Sequence, residues 1–532
     1  MEVNSVKKPV FAIEWKLLVF LIILLDVKLA VKGLAIIFIY CVQPDFNFGI
    51  KARGSRLPLF YLIVTAIGIF NFLKGSDYSR NYAIVVFSGI LVWTACFLVI
   101  HQLKLFVEKT ELSVLHNTVL VFFIINIIFS ILNLVVIWAE IGIRNPFLYQ
   151  GLYQKYFMNT GDFIRGISFD TSTTNAVINC FGVIYFIYRR NYQLVLACMT
   201  TLLLSGSNYC NIVLVLILTA IFLFRASRDQ KSVITICFML LIVFMAEVSP
   251  QNDNYLISSV NKYILHKADD LSIHKNPVPI RQRPDSLLTN ETRKEKIATL
   301  YLDSVERIRL VGLDLAHSGQ VSHIRHEIPL DSIYTATFQW RTDTTDFQRT
   351  LQAYIRDKNI RSGMPITAMT AGKLQAFRQS FLFLNEHREK IFSGDGIGNF
   401  SSSLAYRATG LKIAGGFPAA LTYSNPDFLK NHFSLYTFFF TKNAESHSII
   451  HNPASVFDQL IMEYGFIGFC GFVFCYLGYF LRDVKKLSYG IPLLVLLVSV
   501  FLVDYWFERL SIVVLIELLL FMNIKDYQSD NA

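Results

Sequence analysis

The chain has 532 residues, of which 53% are hydrophobic and 17% charged, with a net charge of +10 and a mean hydropathy of +0.45. A typical globular chain is roughly 25% charged, so this composition excludes intrinsic disorder, a collagen-like chain and a small disulfide-stapled domain, and it argues against an ordinary soluble enzyme. The hydropathy is modest for a chain wholly within lipid, which points to two populations of residues.

The first population is apolar. A spanning helix needs roughly 20 mostly apolar residues to cross a hydrocarbon core of about 30 Å. In chain order the candidates are 14–27, 29–43, 57–74, 82–101, 114–138, 172–188, 192–206, 210–224, 232–248, 454–481, 490–504 and 509–523. The expected fold class is therefore an all-α polytopic membrane protein of about twelve transmembrane helices. Asp26, Lys28 and Lys32 divide the first apolar stretch in two. That stretch has no small-residue cleavage site, so no cleavable signal peptide is expected. Lys and Arg favour cytoplasmic connections. With the N-terminus inside, the cytoplasmic segments hold sixteen Lys and Arg and the short outer connections eight. Both termini are thus expected in the cytoplasm.

The second population is residues 249–452, between spans nine and ten and so expected outside. It carries 24 Lys+Arg and 19 Asp+Glu and is too long for a bare linker. The chain divides into 1–248 (spans one to nine), 249–452 (an outer, mainly helical domain) and 453–532 (spans ten to twelve and a tail). Within the outer segment 286–316, 344–358 and 368–391 read as helices. Leu374, Phe377, Phe381 and Leu384 repeat at helical spacing and read as an apolar stripe. Residues 393–436, rich in Gly, Ser, Asn and Pro, read as irregular.

All eight cysteines fall in or beside apolar spans and read as packing residues. Nine of eleven histidines lie in 249–452, but HExxH is absent and no metal-ligand spacing occurs, so no metal is expected. His447 and His451 differ from the others. They precede span ten, where a neutral imidazole can accept a proton from a hydroxyl at the membrane surface. The same stretch also reads as a capped helix start, with Asn452 or Ser455 as N-cap and Pro453 in the first turn. Asp504, Glu508 and Arg509 join the last two spans and read as interface anchors.

His451-Asn452, a Gln/Leu-rich helix, then Glu463-x-Gly465-x-x-Gly468 entering an apolar span resemble the C-terminal signature of the O-antigen ligase/O-antigen polymerase family of bacterial membrane glycosyltransferases. Three further blocks are similar to the family pattern, in the same order: Arg165–Asp170, the Ser205–Asn208 turn, and Gly372–Arg378 followed by Gly394-Asp395-Gly396-Ile397-Gly398-Asn399-Phe400. The resemblance covers about 160–520. There are departures. Twelve residues, Pro453 to Tyr464, separate His-Asn from the Gly-x-x-Gly, more than is usual. Lys373 stands where the family has arginine, Phe377 where it has tryptophan, and Asn208 where the turn has arginine.

The resemblance implies a donor carrying glycan on undecaprenyl diphosphate, transferred with inversion and without metal or other cofactor onto an acceptor hydroxyl at the outer face of the bacterial inner membrane. The acceptor is lipid A-core or a growing polysaccharide. The other expected partner is membrane lipid; nucleic acid is not among them. His451 is the expected general base, with His447 as the alternative. Arg165, Lys373 and Arg378 are candidates to stabilise the leaving diphosphate. Asn452, Glu463, Gly465, Gly468, Gly396, Gly398 and Asn399 are expected in support. The Gly394–Asn399 segment superficially resembles a nucleotide loop, but it follows no strand, and a structural turn is the better reading. Ligase, polymerase and protein O-glycosylating ligase share these motifs. A polysaccharide transporter or flippase is the alternative of a different class. It predicts charges spread through several spans and repeats between halves, and neither is seen in the sequence.

Overall fold

The structure is a computed structural model that describes residues 11–25, 28–51, 54–75, 79–141, 145–148, 160–169, 171–249, 296–297, 300–301, 346–366, 370–411, 415–441, 448–482, 484 and 487–530. Among the described residues every regular element is helical and no strand occurs.

The first nine helices are α1 (Trp15–Ile23), α2 (Leu29–Val42), α3 (Phe60–Lys74), α4 (Arg80–Lys109), α5 (Leu112–Ile141), α6 (Ser172–Tyr188), α7 (Tyr192–Leu204), α8 (Asn208–Phe224) and α9 (Arg228–Val243). They start where the sequence supplies caps. Ser79 accepts from the Tyr82 amide at 3.3 Å, Thr171 caps α6 and Asn191 caps α7, and Ser227 with Gln230 forms a capping box on α9. Four elements lie over one end of the bundle: α10 (Asp346–Asp357), α11 (Gly372–Glu386), α12 (Ser403–Ala408) and α13 (Ser434–Phe440). The chain returns through α14 (Val456–Cys470), prolonged by a π-helical turn Gly471–Leu477 and Gly478–Leu481. It ends with α15 (Gly490–Val500), α16 (Trp506–Arg509) and α17 (Ser511–Asp530).

A helix occupies each of the twelve expected apolar stretches. Among the described residues, length and composition nevertheless single out four membrane-crossing candidates rather than twelve: Arg80–Lys109, Leu112–Glu140, Arg228–Val248 and Val456–Leu481. Helices of 11 to 17 residues, such as α15 and α8, rise only about 17–26 Å, short of a hydrocarbon core of roughly 30 Å. The bundle is layered by exposure. α6 and α17 are buried along nearly their whole length. α5 turns Ile128, Ile131, Val135 and Trp138 outward, as a lipid-facing helix would. At the centre Phe60 packs edge-on against Trp93, Phe472 and Tyr476, with ring centroids 5.6–5.7 Å apart. All eight cysteines are free, and five of them are buried.

The expected helices at 344–358 and 368–391 appear as α10 and the shorter α11; nearly all of 286–316 lies outside the described residues. The 393–436 stretch is less irregular than expected, since it contains α12 and the helical turns at 426–433 that lead into α13. The apolar stripe of α11 is split, with Phe377 and Leu384 half-buried. Leu374 and Phe381 are 63% and 73% exposed, whereas Gln375, Gln379 and Ser380 are buried. Two of these inward side chains make local hydrogen bonds: Gln375 Nε2 donates to the Thr370 carbonyl at 2.9 Å and Ser380 Oγ to the Ala376 carbonyl at 3.0 Å.

Candidate functional site

The site is organised by a break in α14. Gly465 takes φ +66° and ψ −170°, a conformation essentially reserved for glycine. The break strips helical partners from backbone groups on both sides, and an unpaired backbone group at membrane depth is costly. The segment 391–396 supplies the partners. The Phe466 amide donates to the Ile391 carbonyl at 2.7 Å and the Ile467 amide to the Phe392 carbonyl at 3.1 Å. In return the Asp395 amide donates to the Met462 carbonyl at 2.8 Å and the Gly396 amide to the Glu463 carbonyl at 3.1 Å. The two backbones touch because both lack side chains there. A Cβ on Gly465 would lie 2.4 Å from the Phe392 carbonyl oxygen, and one on Gly394 2.4 Å from the Glu463 carbonyl carbon.

The rest of this loop is a plug. Ile397 is buried in a slot between α3 and α4 that exists because Gly68 and Gly89 face it; a Cβ on either would come within 2.4 Å of its side chain. Gly396 and Gly398 hold positive φ on either side. Asn399 closes the turn, donating to the Asp395 carbonyl at 2.7 Å and to the Tyr82 hydroxyl at 3.0 Å, and accepting from the Tyr423 hydroxyl at 3.0 Å. Gly396, Gly398 and Asn399 therefore shape the backbone, in keeping with a structural turn. Gly468 packs on Tyr464, whose hydroxyl accepts from Trp93 Nε1 at 2.6 Å.

Beneath the plug lies a buried polar cluster. Glu463 Oε1 accepts from the Ser401 amide at 3.2 Å and the Phe400 amide at 3.4 Å. Asp458 Oδ2 accepts from Ser401 Oγ at 3.0 Å and makes a close contact with His432 Nε2. Glu508 accepts from the Leu404 amide at 2.8 Å and from Gln459 Nε2. Burial raises the Glu508 carboxyl to about 7, against the opposing charge of Arg407 and these hydrogen bonds. The interface-anchor reading of Glu508 is thus replaced: it is an internal acceptor for the start of α12. Asp504 and Arg509 pair with each other at 2.7 Å.

His451 sits at the rim above α14. Its ring stacks on Phe439 with centroids 4.1 Å apart, and Nδ1 accepts from the Gly372 amide at 3.3 Å. With Nδ1 accepting, a neutral ring carries its proton on Nε2. Gly372 is required for this approach, since its Cβ would lie 2.3 Å from the His451 carbonyl oxygen. Next to it the Lys373 amide donates to the Ile450 carbonyl at 2.9 Å. The Lys373 ammonium donates to the Ala454 carbonyl and, at 3.1 Å, to the Val503 carbonyl. Burial lowers this lysine to about 7, against the charges of Asp504 and Asp458. Lys373 is therefore a tie between α11 and two turns. Of the cap expectation, Ser455 at the N-cap holds, whereas Pro453 in the first turn does not. Asn452 accepts from the Ala454 amide at 3.0 Å, Pro453 precedes the helix, and Ser455 stands at the N-cap with its hydroxyl donating to Phe501 instead.

Three expected blocks converge here: Gly372-Lys373, Gly394–Phe400 and His451–Gly468. Arg378 is exposed on α11. Arg165 is exposed beside its own Phe163 ring, 5.9 Å away. It belongs to a second convergence, in which Gly161 packs on Gly206 of the Ser205–Asn208 turn. The two are linked through α15: the Tyr209 hydroxyl donates to the Ser499 carbonyl at 2.7 Å and the Val456 amide to the Phe501 carbonyl at 2.9 Å. His447 lies outside the described residues. Sequence reasoning missed His432, Ser401, Tyr505, whose hydroxyl lies 3.2 Å from Ser401 Oγ, and the role of Glu508. These come from segments with no motif, and only the contiguity of Ser401 with Asn399-Phe400 hinted at one of them. Among the described residues no group of three or more His, Cys, Asp or Glu is placed to hold a metal ion. No protein family, curated protein or solved structure matches this chain in comparison.

Proposed function

We propose that the chain is a membrane glycosyltransferase of the O-antigen ligase type, with its termini in the cytoplasm of a bacterial inner membrane, twelve helices counted as spans and the 249–452 segment outside. The observation that carries this reading is the convergence of segments singled out in the sequence up to 96 positions apart, from Gly372 to Gly468, around one histidine at the end of a membrane-crossing helix. A polyprenyl-linked donor stays in the bilayer, so its reacting sugar is confined to the depth of such a rim.

In this reading the acceptor hydroxyl replaces the Gly372 amide at His451 Nδ1 and gives up its proton there. The acceptor oxygen bonds to the anomeric carbon from the face opposite the diphosphate, and the bond from that carbon to the phosphate oxygen breaks. Charge develops on the departing diphosphate. Arg378 and Arg165, the exposed cations among the candidates, stabilise it by charge-assisted hydrogen bonds. Lys373 serves by holding the rim together. Polymerase activity uses the same residues with a different acceptor.

The test is gel analysis of surface polysaccharide in a deletion strain carrying wild-type or His451→Ala protein. Loss of all chains from lipid A-core with lipid-linked polymer accumulating supports a ligase. Retention of a single repeat supports a polymerase. Unchanged glycans in the deletion strain, or near-normal transfer by a His451→Ala protein at wild-type membrane levels, defeat the reading.

A further inference from the structure

A second irregular stretch is built into the bundle, and asparagines hold it. Between the turn Thr160–Phe163 and the start of α6 the chain runs through residues 164–169. Asn133 Oδ1, on α5, accepts from the Arg165 amide at 3.1 Å and from the Gly166 amide at 3.0 Å. Ser168 Oγ donates to the Arg165 carbonyl at 2.8 Å. Both main-chain groups of Arg165 are thus taken by side chains. Asn126 Oδ1, also on α5, accepts from the Ile167 amide at 3.1 Å, and its Nδ2 donates to Asn175 Oδ1 of α6 at 2.9 Å. Asn175 Nδ2 donates in turn to the Ile164 carbonyl and to Ser130 Oγ, each at 3.0 Å. Asn126, Ser130 and Asn175 are fully buried.

Joining α5 to α6 does not by itself call for this arrangement. Carboxamides placed inside an apolar bundle are unfavourable unless each is paired. Gly166 holds φ +60°, and a Cβ there would lie 2.4 Å from Asn126 Oδ1 and 2.6 Å from Asn175 Oδ1. Phe169 holds φ +53°, which a large side chain rarely adopts. Strained backbone and fully paired polar networks collect where a group must be held in place. The group held here is Arg165. Ile164, Gly166, Ile167 and Ser168 are buried around it, whereas Arg165 is exposed beside the Phe163 ring. Its guanidinium forms no salt bridge among the described residues.

The anchor also sets a depth. Asn133 lies five residues, about 7–8 Å along the helix, to the membrane side of Trp138, the last large apolar side chain exposed on α5 before Glu140. A tryptophan in this place marks the membrane–water interface. The headgroup layer is roughly 5–8 Å thick on each side of the hydrocarbon. Arg165 is therefore presented at the level of lipid phosphates.

We infer that Asn133 and Ser168 are positioning residues for the lipid-linked donor. They fix the main chain of Arg165, with Asn126 and Asn175 bracing the turn beyond it, so that the guanidinium meets the donor's diphosphate at the membrane surface. The inference rests on the proposed reading of Arg165 as a diphosphate ligand. It adds residues that touch no substrate and act through Arg165 alone. A cation on a free loop gives up backbone as well as side-chain freedom when it binds. Here the backbone is already ordered, and only the side chain remains to be fixed.

The experiment measures binding of undecaprenyl diphosphate, and of undecaprenol as the same chain without phosphate, to full-length protein in phosphatidylcholine nanodiscs. Arg165→Ala is expected to weaken diphosphate binding about tenfold or more, the size of a lost charge-assisted contact. Asn133→Ala should weaken it by a similar factor, and Ser168→Ala, the mildest of the three substitutions, by about threefold. A protein carrying both Asn133→Ala and Arg165→Ala should bind no more weakly than Arg165→Ala alone, because one residue acts through the other. Undecaprenol binding should not change in any of them. Wild-type diphosphate affinity in both Asn133→Ala and Ser168→Ala overturns the inference. Losses that multiply in the double variant overturn it too, as do losses shared equally by undecaprenol, since both assign Asn133 a structural role alone. These three results leave the reading of Arg165 standing. Wild-type diphosphate affinity in Arg165→Ala overturns the inference by removing its premise, and strikes Arg165 from the proposed function as well.

Discussion

The two ends of the first segment of α14 are held in contrasting ways. At Gly465 the junction is backbone on backbone: four main-chain hydrogen bonds and two opposed glycines. At Ser455 it is made largely by side chains: the Lys373 ammonium on two carbonyls, His451 over Gly372, and Asn452 on Ala454. The first has no titratable group in its bonds and is sensitive to a single methyl. The second also depends on one close glycine, Gly372, and in addition carries titratable groups in its bonds. A membrane enzyme of the proposed kind needs both, a fixed floor and a rim that handles protons.

The largest expected effect comes from breaking the floor. Gly465→Ala forces a Cβ into a glycine-only conformation, at roughly 1–3 kcal/mol, and pushes the 391–396 segment away, with each lost main-chain bond costing about 1 kcal/mol. A drop of about 3 kcal/mol or more is expected, read as a much lower unfolding midpoint in detergent or as loss of membrane-inserted protein. A wild-type midpoint contradicts the docking geometry. Gly372→Ala comes next and sharpens the contrast. It displaces the His451 backbone and so should leave most of the stability intact while reducing any transfer activity about as much as His451→Ala does, measured side by side.

Lys373→Met is smaller. It orphans the Ala454 and Val503 carbonyls, costing about 1–3 kcal/mol at neutral pH. It also changes the pH profile. Because burial holds the folded lysine at about 7, the unfolded chain binds more protons above that pH, and wild-type stability should rise from pH 7 towards pH 10. The variant should lack this rise, as thermal unfolding across that range will read. Smallest is Glu508→Gln. The folded carboxyl at about 7 binds a proton that the unfolded chain releases near 4.5, so this group makes wild-type stability fall between roughly pH 4.5 and 7. The fall should be shallower in the variant, and an identical slope would remove Glu508 from the account.

Much of the frame was legible in the sequence because long apolar stretches carry their own signal. Each of the twelve stretches became a helix, and the Ser, Thr and Asn residues before several of them became caps. The crossing count was not legible in the same way, since a stretch of apolar residues does not state how many of them will be helical. At the site, His451 could be singled out as a histidine beside a span, and Gly465 and the Gly394–Asn399 segment by their resemblance to a known family's motifs. Lys373 was misread as available for a phosphate because burial of an ammonium depends on carbonyls 81 and 130 positions away. The α11 stripe was read as a repeat at helical spacing, and Leu374 and Phe381 of it lie exposed. Periodicity identifies a face without saying whether protein or lipid covers it.

The exchange of main-chain bonds at Gly465 also sets an order of assembly. Residues 391–396 leave the ribosome some seventy positions before the glycine they will meet. Until the pairing forms, α14 enters the bilayer with a gap in its hydrogen-bond ladder, and the loop carries unpaired groups of its own. Neither half is a finished piece without the other. A fragment ending at 452 would present the waiting loop to water, and a fragment starting at 453 would present the gap to lipid. The polar domain and the membrane bundle are thereby committed to maturing together, and quality control acting on either one reads the state of both.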